Sequence, residues 1–129
     1  MSYSFNRKEI KDHGEGGGIV GAPLKGKSVL IIDDVITAGT AMRETIKLVG
    51  EEGGRVVGFV VALDRGESMP TREGEEERRS AMGMIRREFG VPTTSIVTLD
   101  DLIEVLRGKG EEGDMQRLEE YRERWGVKD

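Results

Sequence analysis

Two uninterrupted apolar runs, residues 29–32 and 56–63, constrain this 129-residue chain more than any other feature. Strands whose side chains do not alternate in polarity are buried on both faces, as in parallel sheets. A third strand is expected over 94–98 (TSIVT). Segments of helical spacing lie between and after them. Ala41, Thr45, Leu48 and Val49 share one face, and that pattern stops near Gly50 and Gly53. Met82, Ile85 and Phe89 share another, ended by Gly90. Residues 64–74, with Pro70 inside them, form a loop, and the acidic and basic tract 73–79 (EGEEERR) is an exposed helix start. A short helix over 100–106 follows. Asp114 then caps a last helix that places Met115, Leu118, Tyr121 and Trp125 near one face. Strand–helix alternation of this kind predicts an α/β fold, a parallel β-sheet flanked by helices on both sides.

An arm precedes that core. Residues 3–8 alternate apolar and polar, as in a half-buried strand. Residues 11–18 (KDHGEGGG) carry four glycines and form a mobile loop, and Ile19 and Val20 return as a strand before Gly21 and Pro23. The chain is thus expected to be one domain over 1–129, with a strand–loop–strand arm at 1–23 and an α/β core at 24–129.

Composition narrows the function classes. Twenty Lys and Arg against 25 Asp and Glu leave a net charge of −5, which argues against general binding to nucleic acid or an acidic membrane. The absence of cysteine excludes disulfides, thiolate metal sites and cysteine nucleophiles, and it fits a cytoplasmic chain. No apolar run is long enough to span a bilayer. The opening MSYSFNRKEI lacks the apolar core of a secretory signal.

The segment with the most chemistry is VLIIDDVITAGT, residues 29–40. An apolar strand ends in two carboxylates, Asp33 and Asp34, and the turn Thr37-Ala38-Gly39-Thr40 opens a helix. Ligands of open parallel sheets bind beyond the carboxyl ends of the strands. Helix N-terminal amides there attract phosphate, because unpaired N–H groups coincide with the positive end of the helix dipole. Gly39 allows close backbone approach, and the Thr37 and Thr40 hydroxyls donate to phosphate oxygens. The turn has no lysine and is not a Walker A loop. Carboxylates beside a phosphate cradle make sense when the ligand also presents hydroxyls or a metal ion. An acidic pair alone is more simply a helix-capping feature, but the preceding strand and the Thr/Gly turn tip the balance towards a ligand site.

With these residues in place, VLIIDDVITAGT resembles the phosphoribosyl-pyrophosphate (PRPP) motif of type I phosphoribosyltransferases. FNRKEIKDHGEGG, residues 5–17, resembles the mobile catalytic loop of the orotate-specific branch of that family. Asp64-Arg65, at the end of the second apolar strand, is similar to that branch's orotate-binding strand end. The resemblance runs through the Tyr- and Trp-bearing last helix. It implies that Asp33 and Asp34 bind the ribose hydroxyls of PRPP and act in catalysis. The turn Val35, Ile36, Thr37, Ala38, Gly39, Thr40 and Ala41 would hold PRPP, its 5′-phosphate lying on Thr37 to Thr40. Thr37 and Arg65 would bind orotate, Arg65 offering its carboxylate a planar two-point match. Arg7, Lys8, Lys11 and His13 would close over the pyrophosphate, Lys11 and His13 as catalytic groups. Mg²⁺ would arrive with PRPP, bridged through water to Asp33 and Asp34 rather than held directly. The resemblance further implies a homodimer whose loop acts across the interface, with no nucleic-acid or membrane partner. The implied activity is transfer of phosphoribosyl from PRPP to orotate, giving orotidine 5′-monophosphate and pyrophosphate in pyrimidine synthesis.

His13 is the only histidine, so no multi-histidine metal site is available. A general-acid role and a passive place in the loop both stay open for it. GGGIVG at 16–21 formally matches G-x-G-x-x-G, but a charged loop precedes it and Pro23 follows, so it is no dinucleotide fingerprint. Met82, Met84 and Trp125 are expected as core or helix-face residues. Two other function classes remain. A receiver-type signalling domain also places an acidic pair after a buried strand, but it needs a lysine ending a later strand, where Thr98 is followed by Leu99 and Asp100. A PRPP-binding module without catalysis keeps the fold and drops the turnover. It gains weight because the resemblance begins only at the catalytic-loop strand. The family's preceding part has no counterpart here, and its absence predicts an unpaired sheet edge.

Overall fold

The computed structural model describes residues 1–6, 18–36, 39–69, 78–109 and 112–127. Nine elements lie among them. Strands β1 (Ser4–Asn6) and β2 (Ile19–Gly21) pair antiparallel, Phe5 opposite Val20, as a small hairpin. The Ser4 hydroxyl closes it by donating to the Ala22 carbonyl at 2.6 Å. The expected strand–return arm is therefore present, though its intervening loop lies outside the described residues.

The second sheet has three parallel strands in the order β3 (Ser28–Val35), β4 (Arg55–Asp64), β5 (Thr93–Thr98). Helix α1 (Thr40–Glu51) links β3 to β4, and α2 (Ala81–Phe89) precedes β5. Helices α3 (Leu99–Lys109) and α4 (Glu112–Trp125) end the fold. The expected class, α/β with a parallel sheet flanked by helices, is what the structure shows.

The core is built on one sheet face. Ile31, Phe59 and Val61 meet Met42 and Val49 of α1 and Ala81, Met82 and Ile85 of α2. Phe59, Val61 and Ile85 are at most 1% exposed. These helices form where their apolar residues recur every three or four positions, so each presents one apolar stripe to the sheet. Leu99 and Ile103 of α3 are buried apart from this cluster.

Local details differ from the sequence reading. The run 29–32 was expected to be buried on both faces, yet Leu30 is 51% and Ile32 73% exposed, and Ile96 on β5 is 72% exposed. Only the odd-numbered side of β3 meets helices. Helix α2 begins at Ala81, and residues 73–77 of the tract expected as a helix start lie outside the described residues. The buried Ser80 caps it, its hydroxyl accepting from the Gly83 amide at 3.0 Å, and Arg78 and Arg79 lie before the helix. Asp114 does not cap α4 but lies inside it. Helix α3 extends beyond 100–106 at both ends, and Thr98 and Asp101 cap its start reciprocally. The Thr98 amide and hydroxyl both donate to Asp101 Oδ2 at 2.7 Å, and the Asp101 amide donates back to Thr98 Oγ1 at 3.2 Å. These bonds to the ionised carboxylate hold Asp101 below the usual carboxylate range. Met82 is a core residue as expected and Met84 is half-buried, while Trp125 remains 44% exposed.

Candidate functional site

The acidic pair stands where the sequence puts it, with one refinement. Strand β3 runs on through Val35, paired with Leu63 of β4, so Asp33 and Asp34 are the last turn of the strand rather than residues beyond it. Successive strand side chains point to opposite faces, which sets Asp33 on the side of Ile31 and Asp34 on the side of Ile32. Both are exposed. Each carboxylate caps the next backbone amide. Asp33 Oδ1 accepts from the Asp34 N–H at 2.9 Å, and Asp34 Oδ1 accepts from the Val35 N–H at 2.6 Å. These local bonds hold the carboxylates at the strand end.

Val35 is half-buried and Ile36 only 8% exposed, so the chain dives into the core before it turns. Thr37 and Ala38 lie outside the described residues. The turn emerges at Gly39, buried and left-handed (φ 70°, ψ 0°), which is the N-cap of α1. Among the described residues, no side chain caps this helix, and no acidic residue lies in its first turn. Among the described residues, the first amides of α1 therefore lack the side-chain acceptor that a Ser or Asp cap would supply. Thr40 and Ala41 are exposed at this N-terminus. Arg43, which sequence reasoning did not single out, adds a cation one turn in. Its Nη2 pairs with Glu88 of α2 at 2.8 Å, and its Nη1 would lie 3.3 Å from any Cβ placed on Gly39.

Arg65 lies one strand over, just past β4. Its Nη2 pairs with Glu67 Oε2 at 3.0 Å, and Asp64 Oδ1 accepts the Gly66 amide at 2.8 Å, tightening the bend that follows the strand. Arg65 Nε is buried without a hydrogen-bond partner among the described residues. The bend is stitched to the end of α4: the Ser68 amide donates to the Trp125 carbonyl at 2.6 Å and the Val127 amide to the Gly66 carbonyl at 2.7 Å. A cleft of about 330 Å³ opens here, lined by Asp64, Arg65, Thr98, Arg122 and their neighbours. Arg122 reaches it while paired with Asp100 at 2.9 Å.

The structure thus brings together Asp33, Asp34, Val35, Ile36, Gly39, Thr40 and Ala41 on the β3–α1 turn, and sets Arg65 in a separate cleft at the ends of β4 and β5. That cleft does not include the acidic pair. Arg7, Lys8, Lys11, His13, Thr37 and Ala38 lie outside the described residues. Glu67, Thr98 and Arg122 were missed in the sequence, where a Glu two residues after an Arg or an Arg in a charged helix carries no distinguishing signal. Among the described residues, no three His, Cys, Asp or Glu side chains cluster so as to hold a metal ion, and no helix is long and apolar enough to cross a membrane.

Fold and turn together define a class: an α/β protein with a parallel sheet whose strand–turn–helix suits an anion, set beside exposed carboxylates. Residues 6–76 match the family described as the phosphoribosyl transferase domain, and the chain belongs to that family. The orotate phosphoribosyltransferase of Neurospora crassa is 57% identical across the whole of this chain, which spans 56% of that protein. That of Stenotrophomonas maltophilia is 49% identical over 99% of the chain and 57% of its own length. The crystal structure of orotate phosphoribosyltransferase from Francisella tularensis superposes on 98% of this chain and 57% of its own, with a TM-score of 0.76 at 30% identity. The chain spans little more than half the length of these relatives.

Proposed function

We propose that this chain carries the phosphoribosyl site of an orotate phosphoribosyltransferase, transferring phosphoribosyl from PRPP to orotate in pyrimidine synthesis in the cytoplasm. The observation that carries the reading is the uncapped, left-handed entry to α1 at Gly39, set directly after the exposed pair Asp33 and Asp34. A phosphate takes the free helix amides, and the carboxylates accept from the ribose hydroxyls.

In the reaction the bond from ribose C1 to the diphosphate oxygen breaks, a base nitrogen forms the new bond to C1, and the proton that nitrogen carried passes to the diphosphate or to water. Positive charge grows on the ribose ring and negative charge on the departing diphosphate. Cations at Arg7, Lys8, Lys11 and His13 suit that diphosphate, because contacts that strengthen as its charge grows lower the barrier rather than only tightening binding. A homodimer would let this arm serve a neighbouring site. The donor set fits Mg²⁺ brought in by PRPP: two exposed carboxylates and no protein cage match an ion that keeps its waters and takes most of its ligands from phosphates. Asp33 and Asp34 would hold it through water, and it would neutralise diphosphate charge.

Arg65 is the group for the orotate carboxylate. Its buried, unpaired Nε donor is a cost that a two-point carboxylate contact would remove. Arg65→Ala should therefore abolish orotate binding, read by equilibrium dialysis, and leave PRPP binding intact. Equal loss of both ligands would contradict the assignment. The second reading is a module that uses the same turn and carboxylates to bind PRPP without turning it over. Loss of orotate absorbance with PRPP present separates the two readings.

A further inference from the structure

We infer that Glu67 is a positioning residue: it fixes the Arg65 guanidinium in one orientation at the wall of the cleft, and the end of α4 holds Glu67 in place to do so. The inference rests on the reading of Arg65 as the orotate group and names what sets its direction.

An arginine head group sits at the end of a long flexible stem and, left alone, samples many orientations. A planar two-point contact with a carboxylate needs one of them, so a partner that selects it beforehand lowers the cost of binding. Glu67 is such a partner. Its Oε2 accepts from Arg65 Nη2 at 3.0 Å, and the two side chains are only 24% and 34% exposed. By contrast Asp114 and Arg117 on α4 are 67% and 83% exposed, and a pair in that much water holds no fixed geometry. The Glu67 contact uses Nη2, while Arg65 Nε keeps no partner among the described residues. Arg65 lines the cleft of about 330 Å³ and Glu67 does not, so Glu67 acts through Arg65 and not on the ligand.

Glu67 can orient another side chain because its own backbone is pinned. It pairs antiparallel with Gly126, and the next residue, Ser68, pairs with Ser80. The Gly66 carbonyl accepts from the Val127 amide, the Ser68 amide donates to the Trp125 carbonyl, and the Met69 amide donates to the Arg79 carbonyl at 2.8 Å. At the start of the segment, Asp64 Oδ1 fixes the Gly66 amide. Gly126 makes the approach of α4 possible. Its amide donates to the Arg122 carbonyl at 2.7 Å, and a Cβ at that position would collide with the same carbonyl. A charged helix that contributes no residue to the proposed chemistry thus ends by anchoring Glu67.

Charge and orientation make opposite predictions here, which gives the test its sign. A carboxylate beside Arg65 weakens its pull on an anion, so by charge alone its removal tightens orotate binding. Orientation predicts the reverse. Orotate and PRPP binding are measured by equilibrium dialysis on the parent, Glu67→Ala and Glu67→Gln, with the melting midpoint of each. Glu67→Ala is expected to bind orotate at least about tenfold more weakly and PRPP unchanged. Glu67→Gln, which keeps an acceptor oxygen and drops the charge, should stay within about threefold of the parent. Nitrogen relaxation of the Arg65 Nε–H group, with no ligand present, should show it rigid in the parent and in Glu67→Gln and mobile in Glu67→Ala. Unchanged or tighter orotate binding by Glu67→Ala would overturn the inference. So would equal mobility of Arg65 in all three chains, or a loss of orotate and PRPP together with a fallen midpoint. A parent that binds no orotate would sink the reading of Arg65, and the mobility comparison would still decide whether Glu67 positions it.

Discussion

Gly39 shapes the turn into α1 by backbone conformation alone. Its φ of 70° is a region that L side chains enter at a cost of about 1–2 kcal/mol. Gly39→Ala should lower stability by about that much in a denaturant titration and weaken PRPP, because the new methyl meets Arg43 at the mouth of the turn. Gly50, which has open space around it near the end of α1, is the counter-case. Gly50→Ala should be neutral or raise stability by up to about 1 kcal/mol. Arg65 obeys a different balance. Removing it loses a half-exposed ion pair with Glu67 but also an unpaired buried donor, and the two effects offset. Arg65→Ala should thus leave the melting midpoint nearly unchanged while orotate binding disappears. An equal collapse of stability would make Arg65 a structural residue instead.

At the scale of elements, the start of α3 shows how a local motif sets a boundary. Thr98 and Asp101 cap each other, so the helix begins directly at the end of β5. The Asp101 carboxyl is held below its ordinary value by the Thr98 hydroxyl and amide. A carboxyl depressed on folding stabilises the fold above the ordinary carboxylate range, and the contribution is lost as pH falls through its lowered value. Asp101→Asn should therefore flatten part of the acid-side decline of the melting midpoint, and Thr98→Ala should cost about 1 kcal/mol near neutral pH. An unchanged acid profile in Asp101→Asn would remove this contribution. The capping box was present in the sequence as T-x-x-D, yet the helix was expected to start at Asp100, one residue late. The same ambiguity misplaced the start of α4 at Asp114. Strand interiors were legible because apolar runs have a single physical reading. Helix ends were less so, since several polar residues compete for each cap.

Across the whole molecule, the parallel α/β core and the β3–α1 turn were readable because a buried strand, an acidic pair and a Thr/Gly turn agree on one geometry. The exposure of Leu30 and Ile32 was not readable in the strand itself. An apolar run specifies that both faces seek cover and says nothing about whether cover is supplied. The stitching of α4 to the bend after Arg65 was equally hidden, since backbone pairs such as Ser68 to Trp125 leave no mark on residue type. Association of the bare sheet is the expected behaviour of the isolated chain at high concentration. Ile32→Lys should reduce light scattering without lowering stability, because a side chain 73% exposed contributes little buried area.

The central claim is that the β3–α1 turn receives a phosphoribosyl group. Calorimetric titration with PRPP and Mg²⁺, run on the parent and on the Asp33→Ala, Asp34→Ala double variant, tests it most directly. Two charge-assisted hydrogen bonds are worth about 3 kcal/mol or more together, so the double variant should bind at least about a hundredfold more weakly than the parent. Equal binding by both chains would contradict the claim, as would no binding by a parent whose circular dichroism shows a folded α/β chain.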